Sequence, residues 1–346
     1  MIGAAAPGCA QIFGLDSPGL RDDAPPVGGD AGPFCYGRFA PAGVCFAHEP
    51  AGEVALLPAV STDDVAACSQ DLAMDIGACV IAARTVRVPA VTRVRGGRPL
   101  VLVATELVQV TGRLDVAGHL ADGAGPGALA SCAFGGVLSK QDGGAGGSDQ
   151  ALGGNGGVGG GGTDSGLAVA VAAPTSVRGG CAGQAGGADG VTPTGVGGGG
   201  GGAVWLIGGT IQLMGTIDAS GAGGKGAQAM EQGGGGGGAG GMVVLDAVTL
   251  DVGAASATFA DGGGGGAGAS GTVAGGDGGE SVGTAAAAGG TGPAGPGGAG
   301  GHGATLAGER GGDSGAGAGA GGGAAGWIFT STAVAPGTFS PAPTGF

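Results

Sequence analysis

The sequence predicts an all-β protein with a small β-solenoid-like core of repeated short strand pairs. Glycine-rich, polyglycine-II-like helices are expected to pack against this core, below a disulfide-stapled N-terminal β-cap. Three observations predict this fold class: short Val- and Ile-rich segments with alternating apolar residues, the recurrence of these segments, and glycine-rich tracts between them.

Composition divides the 346 residues into three predicted regions. Residues 1–30 are rich in Pro, Gly and Asp, which is typical of a flexible leader. Residues 31–80 contain aromatic residues and four cysteines and predict a small β-rich cap. Residues 81–346 form the glycine-rich repeat domain, since only 13 of the 95 glycines precede residue 101. Irregular glycine spacing and only 18 prolines exclude collagen.

Six of the seven cysteines are disulfide candidates: Cys35, Cys45, Cys68, Cys79, Cys132 and Cys181. Cys35 with Cys45 and Cys68 with Cys79 have the spacing expected for two strands joined by a turn. Cys132 and Cys181 are then paired by elimination. Such a framework implies an oxidising compartment, and reduced thiols in a cytosolic protein are the alternative. The cysteines and His48, His119 and His302 show no zinc-ligand spacing.

Cys9 is left without a partner and is either a lipid anchor or a free thiol. Small residues precede it, as they precede lipid-modified cysteines. However, Ala6 stands where a bulky residue is usual, and no apolar core of a signal peptide comes before it. No stretch of 18 apolar residues occurs, so no transmembrane segment is expected.

The repeated unit begins at Leu100, Val204, Met242 and Gly326. A constant offset of 103 aligns the first two copies from Val101 with Val204 to Asp115 with Asp218. The third copy needs about three extra residues after Val252, and the fourth degenerates, as a terminal repeat does. The predicted core anchors are Val101, Val103, Val108, Val110, Leu114, Trp205, Ile207, Ile211, Leu213, Ile217, Val244, Leu250, Val252, Phe259, Trp327 and Phe329.

The glycine tracts, residues 119–203, 222–241 and 260–325, admit two interpretations. They are either disordered, or ordered as extended helices whose backbones bond laterally because no Cβ intervenes. Residues that interrupt the tracts are mostly alanine, and small side chains favour the ordered alternative. Its cost is the backbone entropy of glycine, about 1–2 kcal/mol per residue.

Several motifs carry a family resemblance across residues 30–346. They include "FCYGRF", "RVRGGRPLVLVAT", "AVWLIGGTIQLMGTIDASG", "GGAGGMVVLDA" and the closing "SPAPT". In these the chain resembles secreted glycine-rich proteins of unknown function from high-GC bacteria, a group that implies no catalytic residues. The tracts also resemble glycine-rich surface domains and glycine-rich antifreeze proteins, which implies polyglycine-II bundles.

Charge and motif spacing exclude several function classes. The net charge is −14, and the one basic group of residues, Arg84, Arg87, Arg93, Arg95 and Arg98, is interpreted as the solvent face of strands, so nucleic acid is not an expected partner. Glycine-rich phosphate loops lack the required strand–helix context. No convergent acid–base set or histidine suited to a triad is evident, so no enzyme is expected.

Asp115, Asp218 and Asp261 lie where copies pass into glycine. Capping of a turn is the favoured interpretation, and adventitious calcium is the alternative; no cofactor is predicted. The predicted function is a non-enzymatic structural protein, extracellular or at the cell surface, that self-associates into a fibre, sheet or matrix. The alternatives are an adhesin or ice-binding module and, more remotely, a glycan-active β-helix enzyme.

Overall fold

Two parallel β-sheets and the glycine tracts between their strands make up most of the molecule. The computed structural model describes residues 33–39, 43–69, 71–129, 132–136, 138–187, 195–228, 230–281, 283–333 and 336–346. The predicted leader and Cys9 lie outside this part. Residues 33–346 cluster into one compact unit, and the predicted boundary between residues 80 and 81 stays a prediction.

Seventeen strands are present among the described residues. In chain order they are β1 Phe34–Tyr36, β2 Val44–Phe46, β3 Glu53–Ala55, β4 Ala59–Ser61, β5 Cys79–Val88, β6 Thr92–Arg95, β7 Leu100–Val110, β8 Arg113–Asp115, β9 Phe134–Gly135, β10 Leu167–Ala168, β11 Ala203–Leu213, β12 Thr216–Asp218, β13 Met242–Val252, β14 Ala257–Phe259, β15 Trp327–Thr330, β16 Thr338–Ser340 and β17 Thr344–Gly345.

The chain alternates between the two sheets. The long sheet has seven strands in the order β17-β15-β13-β11-β7-β5-β3, and the short sheet has six in the order β16-β14-β12-β8-β6-β4. All strand pairs within these two sheets are parallel, and β1–β2 and β9–β10 are separate antiparallel pairs. Each full repeat therefore supplies one long and one short strand.

The predicted fold class was wrong. A β-solenoid-like core of short strand pairs with polyglycine-II-like helices was expected, whereas the strands form these two extended parallel sheets. Among the described residues, the 3-10 turn Val65–Ala67 is the one helical element. The error arose because Gly208 and Gly209 resemble a break between two short strands, although β11 runs through them for 11 residues.

The repeat register agrees with the predicted offset of 103 only in its second half. Ile211 lies opposite Val108 and Asp218 opposite Asp115, but Val204 lies opposite Leu100 and not Val101. A β-bulge around Thr105 and Glu106 inserts one residue into β7 and causes the difference.

The third copy carries two extra residues, fewer than expected. Thr258 lies opposite Ile217 as a result, and Phe259 opposite Asp218. The side chain of Thr258 takes the inward position, and Phe259 is only partly buried.

Apolar side chains form two cores on opposite faces of the long sheet. The larger core lies between the sheets and contains Leu102, Leu206 and Ile217. The smaller contains Trp205 and is covered by the β1–β2 hairpin through Phe46. Among the predicted anchors, Leu250, Phe259, Trp327 and Phe329 are partly buried and the others are buried.

The described parts of the glycine tracts are extended segments that bond to one another through their backbones. Donors three residues apart on one segment reach acceptors three residues apart on another, at 2.9–3.0 Å. This spacing joins Gly234 to Ala318, Gly237 to Gly321 and Gly240 to Ala324. We call residues 116–202, 219–241 and 260–326, where described, the glycine layer. Extensive burial and lateral bonding there contradict the disordered alternative for these segments.

Three disulfides join Cys35 to Cys45, Cys68 to Cys79 and Cys132 to Cys181, the same pairs that the sequence suggested. The first crosses the β1–β2 hairpin between directly opposed residues. The third closes a 49-residue separation within the first glycine tract. These bonds indicate an oxidising environment. No helix in the described residues has the length and apolarity needed to cross a bilayer.

Candidate functional site

The densest group of charged side chains lies where the short sheet passes into the glycine layer. Asp115 and Asp218 end neighbouring strands β8 and β12, in register and almost fully buried. One carboxylate oxygen of each accepts a hydrogen bond two residues ahead, from Ala117 N at 3.2 Å and from Ser220 N at 3.0 Å. Both aspartates therefore cap turns, as the favoured interpretation of the sequence has it.

His119 connects the end of β8 in its own part of the chain with the distant third tract. Its Nε2 lies 3.1 Å from Asp115 Oδ1, and its Nδ1 lies 2.9 Å from Glu280 Oε2. Glu280 also accepts a hydrogen bond from Leu120 N at 2.5 Å. With a carboxylate at each ring nitrogen, the charged imidazolium is favoured, and the pKa of His119 rises to about 9.

Arginine side chains balance the remaining carboxylates. Arg113 Nη2 donates to Asp218 Oδ2 at 2.7 Å. Arg93 and Arg95 both pair with Asp122, at 2.8 and 2.5 Å. We call the eight charged residues that pair at this site the ionic cluster: Arg93, Arg95, Arg113, Asp115, His119, Asp122, Asp218 and Glu280.

Burial and partners act in opposite directions on the two central aspartates. Burial alone would raise the pKa of Asp115, but the hydrogen bond and charge of His119 and the charge of Arg113 outweigh it and lower that pKa. The pKa of Asp218 is raised by burial despite the hydrogen bonds of Ser220 and the charge of Arg113.

Asp261 forms a separate polar junction beside the cluster. It is fully buried and accepts hydrogen bonds from Ser340 Oγ at 2.6 Å and Ser281 Oγ at 3.1 Å. Burial raises the pKa of Asp261 to about 7, although both hydroxyls act to lower it. Because Ser281 and Ser340 lie in the third tract and β16, this junction links tract to sheet.

The ionic cluster borders a polar cavity of about 290 Å³. Its charged groups already pair with one another, and His119 as an imidazolium has no free lone pair with which to act as a base. The arrangement is thus suited to fixing the first and third tracts to the short sheet. Among the described residues, no group of three or more His, Cys, Asp and Glu side chains is placed to hold a metal ion.

The predicted arginine group is divided between the two sheets. Arg84 and Arg87 lie on the long sheet, where they pair with Glu106 and Glu53. Arg93 and Arg95 lie on β6 and enter the ionic cluster, and Arg98 donates to Thr62 O at 2.8 Å. The group does not form one basic surface.

Sequence reasoning missed His119 and Glu280 as partners, since 161 residues separate them. A signal was nevertheless present, because alanine usually interrupts the glycine tracts and a charged residue there stands out. His302, by contrast, lies in its tract with a backbone bridge to Thr305.

Comparison with protein-family models, curated proteins and solved structures finds no match.

Proposed function

We propose that this protein is a non-enzymatic structural protein of the cell exterior. The observation that carries the proposal is the close backbone packing of the glycine layer. A Cβ added at Gly323 would lie 1.9 Å from Gly238 O, and one at Gly146 would lie 1.9 Å from Gly322 O. Such close approaches recur through the layer and require glycine at these positions. A layer packed in this way is rigid over a large area, which suits a structural role.

The ionic cluster and the disulfides support the same role. His119, Glu280 and Asp115 tie two tracts to a strand, and Cys132–Cys181 closes the first tract. The ionic contacts restrain the glycine layer against the short sheet, and the disulfide restrains the first tract internally. An extracellular location agrees with the disulfides.

We propose that the protein also self-associates, and the open edge of the long sheet has features that favour and features that oppose this association. β15 pairs only with residues 242–245 of β13, and Val248 beyond them is 73% exposed. A parallel strand could extend this edge. A ladder of polar side chains, however, crosses the same half of the sheet and has an acidic residue at each end; it runs through Glu53, Arg87, Gln109, Gln212 and Asp251.

Head-to-tail stacking of copies would bring Asp251 of one copy towards Glu53 of the next. Like charges facing each other oppose association, most strongly at low salt. We therefore expect self-association to strengthen as the salt concentration rises.

Negative-stain electron microscopy combined with sedimentation velocity tests the proposal. The purified full chain is examined at several protein concentrations and at low and high salt. Filaments, sheets or a concentration-dependent increase in sedimentation coefficient are expected, with larger species at high salt. Monodisperse particles under all conditions would contradict the assembly part. Hydrolysis of a glycan by the chain, abolished in Asp115→Asn, would contradict the non-enzymatic part.

A further inference from the structure

An exposed apolar segment lies in the first glycine tract. It begins with β10 and consists of residues 167–173, LAVAVAA, which we call the apolar strip. Leu167 is 43% exposed, Val169 is 37% exposed, and the last three alanines of the strip are exposed as well. The strip has no charged residue, and the nearest ones in the sequence are Asp164 and Arg178. Contiguous exposed apolar surface marks contacts with other molecules.

The backbone of the strip is unpaired over most of its length. Among the described residues, only the first two of the strip pair with β9, although the chain continues to Pro174 without a turn or bend. In this part of the structure the N–H and C=O groups of Val169, Val171 and Ala173 make no hydrogen bond. Because alternate residues of an extended strand direct these groups to the same edge, the three residues present one open edge. An open edge is a template for pairing with another chain.

Side chains hold the strip in place from its opposite edge. Ala168 N donates to Asn155 Oδ1 at 2.9 Å, and Ala172 O accepts a hydrogen bond from Arg178 Nη2 at 2.9 Å. Arg178 in turn pairs with the fully buried carboxylate of Asp149 at 2.9 Å. The strip is therefore pre-organised as an extended segment, which lowers the entropic cost of pairing.

The partner that fits the strip is the same strip of a second copy. In an antiparallel pair centred on Val171, this residue meets its own counterpart, and Ala170 meets Ala172. Val169 then lies opposite Ala173, and each opposed pair of odd-numbered residues can exchange two N–H···O bonds. No charged side chain belongs to the strip, whereas each copy as a whole carries a net charge of −14 and repels the other.

We infer that two copies of this protein associate through their apolar strips as an antiparallel strand pair. The inference rests on the self-association proposed above and gives it a second contact, distinct from the open edge of the long sheet. A contact between two identical strips is two-fold symmetric and closes on itself, whereas head-to-tail stacking continues. Together the two contacts join stacks side by side, as a sheet or matrix requires.

Disulfide cross-linking between copies tests the antiparallel register. Val171→Cys places a thiol where the strip meets itself, at a Cα separation of about 5.5 Å, which a disulfide can bridge. Ala173→Cys is the matched control, because the register separates this residue from its counterpart by about 14 Å along the strand. Both variants carry Cys9→Ser, so that the introduced thiol is the one cysteine outside the three disulfides.

The covalent dimer is measured by non-reducing electrophoresis after mild oxidation. The dimer of Val171→Cys should be at least fivefold more abundant than that of Ala173→Cys. Equal amounts from the two variants, or no dimer from Val171→Cys, would overturn the antiparallel pairing.

Charge substitution tests the strip as a contact of the full chain. Val169→Asp/Val171→Asp should weaken self-association at least tenfold, measured by sedimentation velocity at high salt. Val196→Asp/Val273→Asp adds the same charge at valines that are 61% and 56% exposed and lie outside the strip, and it should associate like the parent chain.

The outcomes separate this inference from the proposed function. Equal association of the two charge variants, while the parent chain assembles, would overturn the strip contact and leave the proposed structural role standing. Dimers that depend on the strip, without larger species, would support the strip and contradict assembly into a fibre or matrix. A parent chain that stays monomeric under all conditions would contradict both.

Discussion

The sheets and the glycine layer are ordered by opposite means. Between the sheets, side chains such as Leu206 and Ile217 fill the space and are fully buried. In the glycine layer the backbone fills much of the space, and a methyl group at a close-packed glycine such as Gly146 or Gly323 would overlap a neighbouring carbonyl. A large side chain therefore stabilises one region and would disrupt the other, although both consist of extended chain with lateral hydrogen bonds.

Gly323→Ala places a side chain in the glycine layer and should have the largest effect on stability. Its Cβ would lie 1.9 Å from Gly238 O, and neither backbone can move without disturbing further hydrogen bonds. We expect a loss of more than about 4 kcal/mol in the free energy of unfolding, beyond the range of ordinary substitutions. Chemical denaturation followed by circular dichroism measures it.

Gly315→Ala is the matched control, because no atom lies within 4 Å of its added Cβ. It should leave stability unchanged or raise it by roughly 0.4–1 kcal/mol. If the two alanine variants are equally stable, close packing at Gly323 is not a determinant of stability.

Removal of single disulfides compares the two regions next. By loop-closure entropy, Cys132→Ser/Cys181→Ser in the glycine layer should cost roughly 4 kcal/mol, and Cys35→Ser/Cys45→Ser in the hairpin roughly 3 kcal/mol. Thermal unfolding of both double variants checks the order. A larger loss for the hairpin pair would mean that native contacts there outweigh loop length.

The pH dependence of stability tests the two groups that link the glycine tracts to the short sheet, Asp261 and His119. Because the pKa of Asp261 in the folded chain is raised to about 7, its contribution to stability is present at acid pH and lost between about pH 4 and pH 7. His119, with a pKa of about 9, contributes below about pH 6.5 and loses that contribution towards pH 9. At about 1.4 kcal/mol per pKa unit, the differences of about 3 units at Asp261 and about 2.5 units at His119 should together lower stability by roughly 8 kcal/mol between pH 4 and pH 9.

Two variants separate these contributions. Asp261→Asn should reduce the slope of the profile between pH 4 and 7, where Asp149, whose pKa burial also raises to about 7, contributes the remainder. His119→Gln should flatten the profile between pH 6.5 and 9. Below about pH 4 the trend reverses, since Asp115 and Glu280 have lowered pKa values in the folded chain and lose their partners when protonated. A profile that rises steadily from pH 4 to 9 would contradict both assignments.

Neutralising the ends of the polar ladder should have the smallest effect. Glu53→Gln/Asp251→Asn removes the opposing charges, and we expect a severalfold increase in self-association at low salt, measured by sedimentation velocity. Glu49→Gln/Asp164→Asn changes net charge equally, at exposed positions outside the ladder. Equal responses of the two pairs would assign the effect to net charge alone.

How much the sequence predicts also differs between the regions. Alternating apolar residues predicted the register of β8 on β12, because a strand must present one face to the core. The bulge in β7 and the continuity of β11 through Gly208 were missed, since one inserted residue or a glycine pair leaves little periodic signal. The pairing of His119 with Glu280 depends on how tracts pack, which local patterns do not encode.

Hydrogen exchange of individual glycine amides tests the central claim most directly. The amides of Gly237, Gly263 and Gly323 donate to backbone carbonyls within the glycine layer at 2.8–2.9 Å. They should exchange as slowly as those of β11, because opening them requires the layer to separate. Exchange of these three amides at the rate of an unstructured peptide, with β11 still protected, would contradict an ordered glycine layer.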